Sequence, residues 1–185
     1  LSKYTTERLA LMYGPVLGIP STVFRYFNVY GPRQSLNNPY TGVCAIFMSR
    51  IKNNNPPVIY EDGGQVRDFV YVEDVASVNV AAIEKARKSD LYHIGYGSPT
   101  SILQIAKTIA DIYGSSVEPN VTQEFRDGDT RHAFADISKA RKDLSWAPKW
   151  KLKQGMEKLV EWSQKEEAED RFEQVESERK KMLSR

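Results

Sequence analysis

Ser21–Gln34 reads S-T-V-F-R-Y-F-N-V-Y-G-P-R-Q, and the fold turns on this stretch. β-Branched and aromatic residues run as far as Tyr30, and Gly31-Pro32 then breaks the run, which predicts a strand ending in a polar loop. Working backwards, Tyr4–Gly14 carries Leu9, Met12 and Tyr13, continued by Val16, at helical spacing. That pattern predicts an amphipathic helix stopped by Gly14 and Pro15. A helix feeding a strand whose carboxyl end holds Arg25, Asn28, Arg33 and Gln34 is the arrangement in which open α/β sheets collect ligands.

Working forwards, helical and extended patterns keep alternating. Gly42–Lys52 reads as a helix halted by Asn53-Asn54-Asn55-Pro56-Pro57, followed by the short strand and turn V-I-Y-E-D-G-G and the extended piece D-F-V-Y-V. The stretch V-E-D-V-A-S-V-N-V-A-A-I-E-K-A-R-K predicts a helix with Val75, Val78 and Ala82 inward, and L-Y-H-I-G-Y-G a strand. Ser101 stands as N-cap of the next helix, with Gln104 three residues on and Gly114 as its stop. A strand near Val121–Phe125 leads to the loop R-D-G-D-T-R-H, Asp136 caps a short helix ending before Pro148, and everything from Leu152 onward reads as helical. Strands separated by helices predict α/β architecture with little room for hairpins. No glycine-rich G-x-G-x-x-G turn joins a strand to a helix.

The 185 residues are enough for one domain with its own core, and 41% hydrophobic with 27% charged residues is ordinary globular composition. No apolar run approaches the roughly 20 residues of a membrane span, and Lys3 and Arg8 flank no long apolar stretch with a small-residue cleavage site, so neither a membrane nor a signal peptide is expected. One cysteine, Cys44, fits a reducing, cytoplasmic compartment and reads as a small buried hydrophobe. Net charge is +2; Glu161–Arg185 holds 6 Lys and Arg against 8 Asp and Glu, leaving +4 on the remainder. That is too thin for a nucleic-acid footprint and sufficient for a few arginines around one small anion. His93 and His132 lack companions at metal-ligand spacing, so no metal is expected.

Four stretches hold polar residues that a fold alone does not demand. Asn28 at the strand's end presents a donor and an acceptor to a ligand, or satisfies the turn before Gly31. Arg67, after the Gly63-Gly64 turn, clamps a phosphate bidentately or pairs with Asp68 or Glu73 at the surface. Arg126, Asp129 and Arg131 crowd one loop, where cation and carboxylate suit phosphate and ribose, or form a solvated charged loop. Lys3, unfavourable beside a helix's positive end, serves a function or pairs with Glu7. Asp68 and Asp74 read as orienting groups.

In this order the stretches resemble the extended short-chain dehydrogenase/reductase family, in particular its nucleotide-sugar epimerases and dehydratases. The matching pieces are S-K-Y-x-x-E-R-L, R-Y-F-N-V-Y-G-P-R-Q, E-D-G-G-Q-V-R-D-F-V-Y-V-E-D-V and R-x-G-D-T-R-H-x-x-A-D-x-x-K-A-x-x-x-L-x-W-x-P, from Leu1 to about Trp162. N-P-Y-T-G-V, I-F-M-S-R-I and V-I-Y-E-D-G are most similar to the branch acting on UDP- or dTDP-sugars as 4-epimerases, of the UDP-glucose and dTDP-rhamnose types. The resemblance implies the end of a Rossmann-type parallel sheet plus a smaller C-terminal α/β substrate-binding lobe, with the N-terminal dinucleotide-binding half absent. It divides the chain into 1–34, the remnant of the NAD-binding domain; 35–162, the nucleotide-sugar lobe; and 163–185, a charged C-terminal helix.

The family's active-site motif is Y-x-x-x-K. Lys3 matches its lysine, which makes Lys3 the catalytic residue of this stretch and puts the tyrosine two places before Leu1. The resemblance implies NAD as cofactor, touched here by Lys3, Tyr26 and Phe27. It implies a nucleoside-diphosphate sugar as substrate: Asn28, Arg67 and Arg126 on the diphosphate, Asp129 on the ribose, Tyr60 beside the base, and Val43 also at the substrate. A hydride leaves C4 of the sugar and returns to its other face. Dehydratase chemistry in the same family, and a nucleotide-sugar-binding or interaction module without catalysis, are the alternatives. The first helix and strand are expected to expose apolar surface and an unpaired edge, so the chain is expected to associate with a copy of itself or with an N-terminal half. The tail reads as a solvated helix with Ala168, Phe172, Val175 and Met182 along one stripe, docked on the domain or self-associating.

Overall fold

In a computed structural model the chain is described over residues 1–38, 42–125 and 128–183, with side chains to Lys181. Arg126, Pro39 to Thr41 of the N-P-Y-T-G-V motif, and the side chain of Met182 lie outside the described residues. Packing groups the chain into two compact units. Unit 1 comprises 1–29, 68–99 and 134–150; unit 2 comprises 30–67, 100–133 and 151–185. Each unit is assembled from three separate stretches, and the chain passes between them five times.

Unit 1 begins with α1 (Ser2–Val16), which runs through Gly14 and Pro15 instead of stopping there. Proline in the last turn forfeits a single helical hydrogen bond. The stop is Gly18, in the left-handed region at φ 70°, with Gly18 N–H donating to Pro15 O and Ile19 N–H to Gly14 O. Gly14 serves close approach: a Cβ there would sit 2.2 Å from Ser21 Oγ. Leu9, Met12, Tyr13 and Val16 are all exposed, about half or more of each side chain.

The predicted single strand is two. β1 (Thr22–Tyr26) pairs in parallel with β6 (Asp90–Ile94), and β2 (Asn28–Tyr30), whose first two residues fall in this unit, pairs with β5 (Phe69–Tyr71). The switch falls at one peptide: Phe27 N–H donates to Ile94 O and Asn28 N–H to Asp68 O. Propensity cannot register this, because both halves remain extended while the partner changes.

β5 runs straight into α3 (Val72–Lys85), which buries Val78 and Ala82 as its pattern predicted, with Val75 half-buried. They join Tyr92, Ile94, Ala140, Leu144 and Trp146 in one apolar cluster, in which Trp146 Nε1–H donates to Ser77 Oγ at 2.8 Å. The last three come from α5 (Ser138–Leu144) and its exit. Asp136 stands one residue before the N-cap position, Ile137, and its carboxylate accepts the N–H of Ser138, the first residue of α5, at 2.9 Å.

Two buried aspartates tie unit 1's stretches together. Asp68, fully buried, accepts the N–H groups of Tyr96 at 2.5 Å, Gly97 at 2.9 Å and Ala135 at 3.1 Å. Asp74 accepts those of Lys149 and Trp150, at 2.8 and 3.1 Å. Each carboxylate thereby satisfies backbone donors that no strand serves.

Unit 2 is built on α2 (Val43–Lys52), α4 (Ile102–Tyr113) and α6 (Leu152–Ser163), which bury Phe47, Met48, Ile105, Ile109, Met156 and Leu159. Ser101 Oγ caps α4 by accepting Gln104 N–H, and Gly114 ends it at φ 65°. β3 (Val58–Ile59) pairs in parallel with β8 (Asn120–Val121), shorter than the strand expected to Phe125. β4 (Val66–Arg67) pairs in parallel with β9 (His132–Ala133) and antiparallel with β7 (Thr100–Ser101). The C-terminal helicity breaks after α6 and resumes as α7 (Phe172–Leu183). The connection lies along α2: Ser49 Oγ donates to Glu169 O, and the Arg50 guanidinium lies 4.5 Å from the Phe172 ring centre and 3.4 Å from Asp170.

Candidate functional site

In unit 2, Arg67 leaves β4 beside the loop that returns to β9. Its Nη1 donates to Val66 O at 2.8 Å and its Nη2 to Asp129 Oδ1 at 2.5 Å; Asp129 also accepts Thr130 N–H. The local pairing with Asp68 or Glu73 is replaced by a partner 62 residues away. Two of the guanidinium's five donors are thus engaged, and its side chain is 15% exposed. The pair sets a fixed cation and a hydrogen-bond acceptor side by side.

The same loop carries Arg131, which reaches the turn after β3. Its Nη1 donates to Glu61 Oε2 at 2.5 Å and Asp62 Oδ1 at 3.0 Å, and its Nη2 to Asp62 Oδ2 at 2.7 Å. Asp62 in turn accepts Gly64 N–H at 2.8 Å. Arg131's hydrogen bonds hold the Asp62 carboxyl down at about 2, and the two carboxylates raise the guanidinium above its ordinary value. Sequence reading saw Arg131 crowding the loop and missed its carboxylates. They stand some 70 positions away, where no spacing rule reaches.

Tyr60, just after β3, is half-buried; its carbonyl accepts Gln65 Nε2–H, and Arg179 of α7 lies 5.8 Å from its ring centre. Val43 opens α2 and is half-buried. Arg126 lies outside the described residues.

In unit 1, Lys3 is exposed in the first turn of α1. Its expected partner is taken: Glu7 is held bidentately by Arg25 of β1, at 2.7 Å through each oxygen, and that contact lowers the carboxyl's pKa. Tyr26 is 43% exposed and donates to Asn79 Oδ1; Phe27 sits edge-on to His93 at 6.0 Å. Asn28 is half-buried, its backbone spent on Asp68. The structure thus brings Arg67 and Asp129 together in unit 2, holds Val43 and Tyr60 in that unit, and leaves Lys3, Tyr26, Phe27 and Asn28 in unit 1. Among the described residues no group of three or more His, Cys, Asp or Glu could hold a metal ion, and no helix is long and apolar enough to cross a membrane.

A parallel-stranded α/β chain with this loop order has recognisable relatives. A sequence profile of the NAD dependent epimerase/dehydratase family matches residues 1–95, and the chain belongs to that family. A dTDP-L-rhamnose 4-epimerase of Burkholderia thailandensis is 40% identical over 162 residues, 87% of this chain and 44% of that protein. A putative UDP-glucose 4-epimerase of Methanocaldococcus jannaschii is 37% identical, covering 88% and 52%. Among solved structures, the UDP-glucose 4-epimerase of Thermotoga maritima with UDP-glucose superposes with a TM-score of 0.80 at 39% identity, over 88% of this chain and 52% of that one. The chain therefore spans about half the length of the relatives it matches.

Proposed function

We propose that the protein carrying this chain is an NAD-dependent 4-epimerase of UDP- or dTDP-hexoses, and that this chain supplies its nucleotide-sugar-binding part. The observation that carries the reading is the juxtaposition of Arg67 and Asp129, 62 positions apart in sequence and 2.5 Å apart in space. A cation beside an acceptor matches the diphosphate beside the ribose in a nucleoside diphosphate. The guanidinium neutralises phosphate oxygens with donors that Asp129 and Val66 leave over, and the carboxylate accepts from ribose hydroxyls. The resemblance to the family assigns Asn28 and Arg126 to the diphosphate, Tyr60 to the base and Val43 also to the substrate.

The residues of unit 1 fit NAD. Lys3 offers an exposed ammonium, and Glu7, the acid on its own helix face, is committed to Arg25. Lys3 donates to the nicotinamide ribose and, as a fixed positive charge, favours the phenolate of a neighbouring tyrosine. Tyr26 and Phe27 border the nicotinamide. NAD when bound accepts and returns a hydride; this chain's tasks are to bind and to orient. In this reading β1 and β6 are the end of the dinucleotide-binding sheet, and unit 2 is the substrate lobe.

The test uses the full-length protein with UDP- and dTDP-hexoses, following the C4 epimer by proton NMR. Interconversion is expected, and Arg67→Ala is expected to raise the KM about tenfold to a hundredfold, the value of one charge-assisted contact. Absence of interconversion refutes the reading, and loss of water from the sugar moves the protein to dehydratase chemistry.

A further inference from the structure

Glu61 holds both ends of the loop that carries Asp129. At the near end its backbone closes two hydrogen bonds with the exit of β8: Glu61 N–H donates to Glu124 O at 2.9 Å, and Gln123 N–H to Glu61 O at 3.0 Å. At the far end its side chain, with that of Asp62, takes the guanidinium of Arg131. Immediately beyond, Arg131 O accepts Val66 N–H at 2.9 Å, where β9 enters the sheet beside Arg67. The turn doing this is itself constrained. Glu61 adopts φ 50°, Gly63 φ 77°, and a Cβ on Gly64 would sit 3.1 Å from both Arg131 Nη2 and Asp62 Oδ1. A non-glycine residue in the left-handed region is strained, and such strain gathers at functional sites.

Arg131 is 44% exposed on its side chain, and an exposed ion pair contributes little to global stability. Three hydrogen bonds to two carboxylates at that exposure therefore act chiefly on geometry. We propose that Arg131, with Glu61 and Asp62, is a positioning clasp: it closes the base of the loop so that Asp129 is already beside Arg67 before nucleotide arrives. Arg131 touches no substrate. It lowers the ordering cost that binding would otherwise carry for Asp129 and its neighbours. The proposal rests on the reading of Arg67 and Asp129 as the nucleotide grip.

The experiment compares the full-length protein with Arg131→Ala, Arg131→Lys and Glu61→Gln, and with Arg67→Ala and Asp129→Ala as reference. Readouts are calorimetric affinity for UDP and dTDP, KM and kcat, and amide exchange of Gly128–Thr130 without ligand. A clasp predicts that Arg131→Ala weakens affinity and raises KM by about tenfold, leaves kcat within about twofold, and speeds exchange of those amides. Arg131→Lys, which keeps the charge and loses the two-pronged geometry, falls between. Glu61→Gln reports the same trend should Arg131→Ala fold poorly. Unchanged affinity and exchange in folded Arg131→Ala, with Arg67→Ala and Asp129→Ala impaired, overturns the clasp alone. Unchanged affinity in all variants overturns the nucleotide grip and the clasp with it.

Discussion

Asp68→Asn is the sharpest perturbation of unit 1. The wild-type carboxylate, fully buried, accepts three backbone N–H groups, Oδ1 from Tyr96 and Oδ2 from Gly97 and Ala135. Asparagine keeps one oxygen. Its best orientation leaves that oxygen on Gly97 and Ala135 and turns an NH2 group against Tyr96 N–H. One buried donor is then unsatisfied, at about 1–3 kcal/mol, and two charge-assisted bonds become neutral, at about 0.5–1 kcal/mol each. The sum is about 2–5 kcal/mol, which for a chain of this size lowers Tm by roughly 4–20 °C. Scanning calorimetry measures it, with near-ultraviolet circular dichroism following Trp146 and Trp150 of the same unit. Gly95→Ala is the control without a charge change: its Cβ would stand 2.5 Å from Asp68 Oδ2 and 2.7 Å from Ala135 Cβ, and it should destabilise comparably. An Asp68→Asn protein melting within about 2 °C of its parent would refute the three-donor argument, since that corresponds to less than 1 kcal/mol.

Asp62 should titrate near pH 2 in the folded protein against 3.8 unfolded. Its contribution is therefore complete above the unfolded value and lost as pH falls from about 4 to 2; a carboxyl carbon titration reads the midpoint, and Arg131→Ala should move it up. Cys44 is buried and its thiol is pushed up to about 12 by desolvation, so a thiol reagent at pH 8 should label it only at the rate of unfolding. Leu144→Ala, at a fully buried position of the unit 1 cluster, should cost about 2–5 kcal/mol in a denaturant titration. Arg50→Ala removes the contacts to Asp170, Glu173 and Phe172 and should open residues 164–171 to limited proteolysis, with the core of the chain resisting.

Elements fixed by local chemistry were legible in the sequence. Ser101 and Gly114 bound α4 as their types demand, and Val78 and Ala82 face inward on α3. Elements decided by distant partners were not. The end of α1 depends on Gly18 and on Ser21 closing against Gly14, and the break at Phe27 depends on which strand lies alongside. The candidate site divides the same way. Residue types marked Arg67 and Asp129, and the loop around Gly128 was conspicuous, but their pairing, the Glu7–Arg25 contact and the Arg131 clasp join positions 18 to 70 apart. A charged side chain announces that it needs a partner without saying which one.

The five passages of the chain between its units bear on how the protein must be made. The apolar cluster of unit 1 needs Leu144 and Trp146 as well as Val78 and Tyr92, so it stays open on the ribosome until residue 150 has emerged. Unit 2 waits longer, for Met156 and Leu159 of α6. Neither can be cut out as a contiguous gene segment, and nascent chains ending before residue 150 expose both half-built cores to chaperones at once.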